Sequence, residues 1–425
     1  MLTRRHALAA GSAAAAALAA PSLSFARGGR VVVVGAGAGG ASVARLLAGQ
    51  LVGKADVLAV TGPSETYFAP FLQTSRMLGE AVAKPVDVAS RLRERGVATV
   101  AGSAVALDRK RKRLTVQSGG SETELAYDLL IAAPGVALGT YGGAAVEGAA
   151  GDLDPCWTAS SPCADGRVRL AALPKGGTLA IVAPPQPYRC PPAIYERACL
   201  LAHRLRKADA AAKILIVDEK DEYPMQALFE AAYADYYDEA IEWIPRDFHG
   251  GVRRIDFETG AIETDFETFE VDLVHAVPPQ SAPAFLIRAG LADGAGYCPI
   301  LAASMQSVSD PDVYLVGDVA ASGEMSKSAG SAIAQAELAA AHVVERITGR
   351  RPNIAIDLAD QCWTFLAPGD AVTLGGHYRP AGRRFASVER FVSGVEEDEA
   401  TRRENARQAA AWPGMMLQQI YGAGS

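Results

Sequence analysis

Short apolar runs alternate along this chain with amphipathic stretches of helical spacing, and this order is typical of an α/β protein. Residues 30–34 read RVVVV, 178–183 read TLAIVA and 213–217 read KILIV. Continuous runs rich in valine and isoleucine predict strands buried on both faces, as in a parallel sheet. The second run is followed by apolar residues at i, i+4, i+7 and i+11. They predict one buried helix face, formed by Ile194, Ala198, Leu201 and Leu205.

The first strand leads into a glycine-rich turn. Residues 35–40 read GAGAGG, which matches G-x-G-x-x-G, and the helical stretch ASVARLLAGQL follows. In this strand–turn–helix context the motif predicts a dinucleotide site, with the helix N-terminus facing the phosphates. Gly35 permits the tight turn, Gly37 lets the backbone approach a pyrophosphate, and Gly40 allows close helix–strand packing.

The position that usually supplies an acid to the ribose departs from this pattern. The next predicted strand, 56–60, is followed by Thr61 instead of an acid, and Glu65 lies four residues further on. We expect Thr61 to make a weaker ribose contact, and Glu65 fits a surface loop better than a substitute ligand.

Two later segments indicate that the dinucleotide is FAD. Residues 127–135 (YDLLIAAPG) predict a strand that closes on a turn of small residues, and 313–318 (VYLVGD) predict a strand that ends in Gly-Asp before an alanine-rich helix. In flavoproteins with two dinucleotide domains, that Asp lies near the ribityl chain; the alternative for Asp318 is a plain helix cap. The candidate flavin contacts here are Ala133, Gly135, Gly317 and Asp318.

A second βαβ unit begins near residue 176, but its turn carries prolines where glycines are expected. The turn after strand 178–183 reads PPQPYRCPP. Proline has no backbone N–H to offer a pyrophosphate, so we expect a nucleotide-type domain without an NAD(P)H site, which Asp218 at the end of the next strand does not rescue. The turn presents Cys190 at the start of a helix, where the dipole would stabilise a thiolate. A buried structural cysteine is the alternative.

The N-terminus predicts export. Arg4 and Arg5 precede an alanine-rich apolar run, and residues 24–26 (SFA) offer a cleavage site, so residues 1–26 are expected to be a twin-arginine signal peptide. No other stretch reaches the roughly 18 apolar residues of a spanning helix. A net charge of −7 argues against nucleic-acid binding. We therefore expect a periplasmic protein.

The cysteines and histidines restrict the remaining chemistry. In an oxidising compartment the six cysteines could form disulfides, and the sequence alone leaves all fifteen full pairings open. Cys156 and Cys163 are close enough for a structural bridge, whereas Cys199 and Cys298 are expected to be buried. No Cys-x-x-Cys-His motif occurs, so the chain carries no c-type haem itself, and the scattered histidines predict no metal site.

Several motifs, in order and spacing, resemble the flavoprotein subunit of flavocytochrome c sulfide dehydrogenase, a relative of sulfide:quinone oxidoreductases. The matching pieces are Val33-Val34-Gly35-Ala36-Gly37, Arg189-Cys190-Pro191-Pro192, Tyr195-Glu196-Arg197-Ala198, Val316-Gly317-Asp318, Lys327-Ser328, Cys362-Trp363-Thr364-Phe365-Leu366-Ala367-Pro368 and Tyr378-Arg379-Pro380.

The resemblance implies a redox-active disulfide between Cys190 and Cys362 beside the flavin. It further implies that Glu196 is a nearby acid–base group, although pairing with an arginine on its own helix is the alternative, and that Lys327 belongs to the cofactor site. Family members often tether FAD through a cysteine in the loop after the second strand, where this chain has Pro70. Because proline cannot form a thioether, we expect dissociable FAD.

The implied fold is α/β, with two Rossmann-like dinucleotide-binding domains and a C-terminal α+β interface domain. The boundaries we expect are 27–170 with 285–350 for the FAD domain, 171–284 for the second domain and 351–425 for the flavin-capping domain. In the last domain, 399–411 predicts a polar helix interrupted by Pro413-Gly414, and Trp412 either covers the flavin or packs in the core.

The implied activity is periplasmic, FAD-dependent oxidation of sulfide or a related small inorganic sulfur species, with electrons passing to a separate c-type cytochrome subunit. Three alternatives stay open. One is a quinone acceptor, for which only the short apolar patch at residues 415–421 is available. Another is a paralogue that acts on other or protein-bound sulfur species in a thiosulfate-oxidising system. The third is a non-catalytic, FAD-bound activating protein.

Overall fold

The computed structural model describes residues 29–64, 66–67, 69–78, 85–139, 141, 145–147, 157, 169–208 and 212–422. The predicted signal peptide, Glu65 and the Cys156–Cys163 pair lie outside these residues. Within the described ranges, no helix combines the length and apolar character that crossing a membrane requires.

The helices in these ranges are numbered in chain order. They are α1 (Ala38–Gln50), α2 (Gln73–Leu78), α3 (Val88–Arg93), α4 (Ala193–Lys207), α5 (Gln226–Tyr237), α6 (Arg246–His249), α7 (Ala284–Arg288), α8 (Ala329–Thr348) and α9 (Glu399–Tyr421). Two 3₁₀ turns, Pro70–Leu72 and Gly317–Val319, lie beside the site described below.

A seven-stranded sheet forms the first domain and takes its strands from two separate stretches of the chain. Their order is Ile300–Leu301, Gln306–Ser307, Asp310–Leu315, Leu129–Ala132, Gly29–Val34, Ala55–Val60 and Ala98–Val100, and the last five are parallel. The valines of strand 29–34 are buried in a core that also contains residues of α1 and α8, which pack against each other, and of the strands 113–118 and 121–126. An antiparallel sheet of Ser103–Asp108, Arg113–Ser118 and Ser121–Ala126 is added to this domain.

The second domain is built around four parallel strands. Their order is Ile241–Ile244, Lys213–Asp218, Thr178–Ala183 and Leu273–Ala276. Helix α4 follows strand 178–183, and the four apolar positions predicted for its buried face are all in the core. A smaller sheet of Ala145–Glu147, Val252–Asp256, Ala261–Thr264 and Thr268–Glu270 adjoins it. Two short ladders pair Thr66–Tyr67 with Val86–Asp87 and Ala137–Leu138 with Gln280–Ser281.

The C-terminal region is a three-stranded antiparallel sheet covered by α9. The strands are Ala359–Ala367, Asp370–Ala381 and Arg384–Val392. The prediction that Pro413-Gly414 interrupts the helix is wrong. Helix α9 is 23 residues long and contains Pro413 in its interior. A proline removes one backbone hydrogen bond, but tertiary contacts hold both halves: Ala406 and Ala409 are buried near the sheet, and Ile420 and Tyr421 are buried in the core of the first domain. The predicted fold class is confirmed.

Candidate functional site

The turn after strand 29–34 accepts only glycine at two positions. Gly35 has φ +95°, and a Cβ there would lie 2.2 Å from the carbonyl oxygen of Ala133. A Cβ on Gly40 would lie 2.1 Å from the carbonyl oxygen of Gly35. The absence of side chains lets the turn fold tightly over the start of α1, where free backbone N–H groups form an anion-binding cradle. This cradle fits the pyrophosphate of a dinucleotide.

The turn opens into a cavity of about 490 Å³, which we call the flavin cavity. Seven of the nine predicted cofactor contacts line it: Gly35, Gly37, Thr61, Ala133, Gly135, Gly317 and Asp318. Gly40 and Lys327 are not among the lining residues. Gly40 packs beneath the turn, and the Lys327 ammonium donates to the carbonyl oxygens of Asp318 and Ala320, at 2.7 and 2.8 Å. Lys327 therefore supports the Gly-Asp turn from behind.

Asp318 faces an arginine that the sequence analysis left without a role. The Nη1 of Arg189 lies 3.6 Å from the carboxylate of Asp318, and both side chains are mostly buried. The backbone N–H of Arg189 donates to Gln280 at 2.9 Å, which fixes the turn before α4 on the flavin cavity. Asp318 does not cap the alanine-rich helix, because Ser328 is the N-cap of α8.

Cys190 and Cys362 lie where the flavin cavity meets a second cavity of about 760 Å³, and both residues line both cavities. Cys190 is in the turn before α4 with φ +57°, and its N–H donates to the carbonyl oxygen of Lys327 at 3.0 Å. Cys362 is on strand 359–367 of the C-terminal sheet. Both are thiols in this structure, and the disulfide between them stays a prediction.

The prediction that the helix dipole stabilises a Cys190 thiolate is wrong for this structure. Burial, followed by the nearby charge of Glu196, raises the pKa of Cys190 to about 12. The pKa of Cys362 is also raised, by burial and then by Asp360. Removing a thiolate from water therefore outweighs the attraction of the helix end, which is felt mainly within the first turn.

Glu196 lies in the first turn of α4 and lines the second cavity. One carboxylate oxygen accepts a hydrogen bond from the backbone N–H of Phe365 at 3.0 Å, which joins α4 to strand 359–367. Since that strand carries Cys362 and the turn before α4 carries Cys190, this bond helps to hold the two cysteines on facing elements.

A buried carboxylate beside Cys362 was missed in the sequence analysis. Asp360 stands two residues before Cys362 on the same strand, and the Cys362 sulfur lies 3.8 Å from its Oδ1. Alternate residues of a strand share a face, so this spacing was the available signal. The sequence does not show that the start of α8 packs against this carboxylate and buries it.

Aromatic side chains from α9 close one side of the flavin cavity. Trp412 lines both cavities and packs edge-on against Phe71 at 5.3 Å between ring centroids. The hydroxyl of Tyr421 donates to the carbonyl oxygen of Ala36 at 3.0 Å, which fixes the end of α9 to the glycine-rich turn. Pro70 begins the 3₁₀ turn 70–72 and also lines the flavin cavity, so the position of the family's tethering cysteine faces the cofactor space.

The corresponding place in the second domain is filled by side chains. Asp218 is 0% exposed and accepts hydrogen bonds from the Tyr195 hydroxyl at 2.6 Å and from Trp243 Nε1 at 2.9 Å. It also pairs with Lys220, whose ammonium donates to the carbonyl oxygen of Pro184 at 2.9 Å. An acid engaged in this way has no free face for a ribose, which agrees physically with the loss of amide donors in the proline turn.

Comparisons with known proteins agree with this architecture. Residues 29–181 match the pyridine nucleotide-disulphide oxidoreductase family model. Residues 166–278 match the central model of the sulfide dehydrogenase [flavocytochrome c] flavoprotein chain, and residues 355–420 match the flavocytochrome c sulphide dehydrogenase flavin-binding model. The resemblance predicted from the sequence is therefore confirmed, and the flavin-binding match supports FAD as the cofactor.

Solved structures of related fold extend over most of the chain. The sulfide:quinone oxidoreductase of Aquifex aeolicus superposes with a TM-score of 0.72 at 19% identity, over 92% of this chain and 91% of that one. The NAD-dependent persulfide reductase of A. fulgidus has a TM-score of 0.59 at 16% identity, over 82% of this chain and 64% of that one. The water-forming NADH oxidase of Lactobacillus brevis has a TM-score of 0.58 at 16% identity, over 82% of this chain and 75% of that one. At these identities the similarity establishes the fold.

Proposed function

We propose that this chain, whose central and flavin-binding regions match the flavoprotein chain of flavocytochrome c sulfide dehydrogenase, oxidises sulfide or a related reduced sulfur species by means of FAD. The observation that carries the proposal is the position of Cys190 and Cys362, which line both the flavin cavity and the second cavity. Two cysteines at this boundary connect a space for the sulfur substrate with a space for the cofactor.

The chain's own residues fit FAD. The side-chain-free turn at Gly35 and Gly37 would hold the pyrophosphate, and Asp318, paired with Arg189, would face the ribityl chain. Pro70 supports a dissociable cofactor, since a proline cannot form a thioether. When bound, FAD accepts an electron pair and releases electrons singly; this chemistry belongs to the cofactor.

The first chemical step would be a thiol–disulfide exchange. Hydrosulfide attacks one sulfur of a Cys190–Cys362 disulfide, the S–S bond breaks, and the attacked cysteine becomes a persulfide while the other cysteine leaves with the electron pair of the broken bond. Oxidation of one hydrosulfide to zero-valent sulfur then releases one proton and two electrons overall. Glu196, whose charge influences the Cys190 sulfur, would exchange protons with that cysteine and its substrate.

We propose a separate c-type cytochrome as the electron acceptor, and export to the periplasm by the twin-arginine route. The arrangement of α9 supports a cytochrome over a quinone, because a membrane-embedded acceptor requires an apolar surface helix. Ile420 and Tyr421, which belong to the apolar patch at residues 415–421, are buried against the first domain, while Met415 is half exposed. Little of the patch is left to enter a bilayer.

The test is an anaerobic steady-state assay with the purified holoprotein, sulfide and a c-type cytochrome. Cytochrome reduction that depends on both sulfide and the protein is the expected result. Sulfide-dependent reduction of a quinone, with none of the cytochrome, would overturn the proposed acceptor. The absence of flavin reduction by sulfide would overturn the proposed substrate.

A second candidate function is action on a larger or carrier-bound sulfur species. The observation in its favour is the size of the second cavity, about 760 Å³, which greatly exceeds the space that hydrosulfide needs. Activation of a thiosulfate-oxidising system without sulfide turnover would support this candidate, or a non-catalytic FAD-bound activator, over the first.

A further inference from the structure

Asp360 is a buried carboxylate in direct contact with Cys362. The two residues share one face of strand 359–367, and the Cys362 thiol donates to Oδ1 of Asp360 at 3.8 Å. Asp360 is only 5% exposed. A buried carboxylate is costly unless hydrogen bonds compensate it.

Serine hydroxyls at the start of α8 provide that compensation. The Ser328 hydroxyl donates to Oδ1 of Asp360 at 2.8 Å, and the Ser326 hydroxyl donates to Oδ2. Ser328 in turn accepts from the backbone N–H of Ser331 at 3.0 Å as the helix cap. Gly330 makes the approach possible, because a Cβ there would lie 2.7 Å from Oδ1. The carboxylate thus lies against the positive end of a 20-residue helix.

This cluster joins the two cavities. Ser328 and Cys362 line both the flavin cavity and the second cavity, whereas Asp360 and Ser326 line only the second. A proton on Asp360 is therefore next to the Cys362 sulfur and on the side of the proposed substrate. Hydroxyl groups that can rotate connect the carboxylate to the flavin side.

We propose that Asp360 is the proton donor and acceptor for the sulfur of Cys362, the role that the proposed function gives to Glu196 at Cys190. The inference rests on the proposed function. When the S–S bond breaks with Cys362 as the leaving group, the carboxylic acid of Asp360 gives its proton to the departing sulfur, leaving a carboxylate and a thiol. When the bound sulfur has been released and the two cysteines are oxidised to the disulfide again, the electron pair passes to FAD and the thiol proton of Cys362 returns to the carboxylate of Asp360.

The titratable groups around Cys362 come from several elements. Cys190 faces it from the turn before α4, Glu196 lies on α4, and Tyr378 on the neighbouring strand interacts with both Asp360 and Cys362. Burial raises the pKa of Asp360, so the acid form persists to higher pH than in an exposed aspartate. The charge of Asp360 raises the pKa of Cys362, which keeps the reduced sulfur protonated.

The test measures the rate of iodoacetamide alkylation of each cysteine against pH, in chemically reduced holoprotein, by peptide mass spectrometry. Asp360→Asn keeps the shape of the side chain and removes its charge, so the pKa of Cys362 should fall. About a tenfold faster alkylation of Cys362 at pH 8 is expected, which corresponds to a fall of about one unit. The profile of Cys190, whose pKa is influenced more by the charge of Glu196 than by that of Asp360, should change much less.

A second variant covers the case in which Asp360→Asn does not fold. Ser326→Ala removes one hydrogen bond to the carboxylate without touching Cys362 or the helix cap; the more basic carboxylate should hold the thiol proton more strongly and slow the alkylation of Cys362. The matched control is Glu324→Gln. Glu324 is a carboxylate that lines the same cavity and pairs with Arg390, and its replacement should leave the alkylation rates of both cysteines unchanged.

Unchanged Cys362 profiles in both test variants, or equal shifts at Cys190 and Cys362, would overturn the proposal. Because this assay uses no sulfide, its outcome is independent of the proposed function. Sulfide-dependent flavin reduction by the wild-type protein, measured in parallel, tests that function separately.

Discussion

Replacing Gly35 by alanine tests whether the glycine-rich turn is required for cofactor binding. Alanine at φ +95° adopts a left-handed conformation that costs about 1–2 kcal/mol. Its Cβ would also lie 2.2 Å from the carbonyl oxygen of Ala133, a backbone atom held in the sheet by the bond from the Ala133 N–H to the Val34 carbonyl at 2.8 Å. Relief of such a contact costs a further ~1–3 kcal/mol.

Gly176→Ala is the matched control. Gly176 lies in the turn before strand 178–183, is not among the residues that line the flavin cavity, and has φ +75°, but a Cβ there would meet nothing within 4 Å. The control therefore carries the conformational cost with neither a clash nor a contact to the cofactor space. At ~1.4 kcal/mol per tenfold change in affinity, Gly35→Ala should weaken FAD binding at least tenfold more than Gly176→Ala.

The assay is fluorescence titration of the apoprotein with FAD, with circular dichroism to show that each variant is folded. Equal affinities in the two variants, or wild-type affinity in Gly35→Ala, would refute the argument that the close approach of the turn to Ala133 forms the cofactor site.

Three further predictions concern other parts of the site. Tyr421→Phe removes the hydrogen bond to the Ala36 carbonyl and should lower the free energy of unfolding by about 1 kcal/mol in urea melts; an unchanged midpoint would show that α9 is held by other contacts. Burial lowers the pKa of Lys327 from 10.5 to about 8. Between pH 8 and 10 the unfolded chain therefore binds more protons at Lys327 than the folded protein does, so the free energy of unfolding rises with pH over this interval. The stability of the wild type relative to Lys327→Met should therefore increase over that interval, and a flat difference would argue against a buried ammonium. Because Pro70 occupies the tethering position, acid precipitation should release FAD into the supernatant, and a yellow pellet would disprove dissociable binding.

The sequence predicted the elements that depend on local pattern. The valine run at 30–34, the glycine turn and the apolar face of α4 each determine a structure from neighbouring residues alone, and seven predicted cofactor contacts line one cavity. The helical extent of α9 was not predictable in this way. Pro413 is unfavourable for a helix, and the burial of residues on either side of it opposes this effect.

The chemistry of residues whose surroundings are formed by distant parts of the chain could not be predicted from the sequence pattern. Asp360 is ordinary in the sequence, and its role follows from Ser326, Ser328 and Gly330, which approach it from another element. The prediction of a stabilised thiolate at Cys190 was wrong for the same reason. The dipole of α4 can be read from the sequence, whereas the burial that opposes it cannot.

Anaerobic addition of sulfide to the purified, oxidised holoprotein tests the central claim most directly, because it asks whether the two cysteines connect the substrate with the flavin. The account predicts that one equivalent of sulfide bleaches the visible flavin absorbance of the wild type, and that Cys190→Ser and Cys362→Ser, each loaded with FAD, keep their colour. Full bleaching in both variants would contradict it.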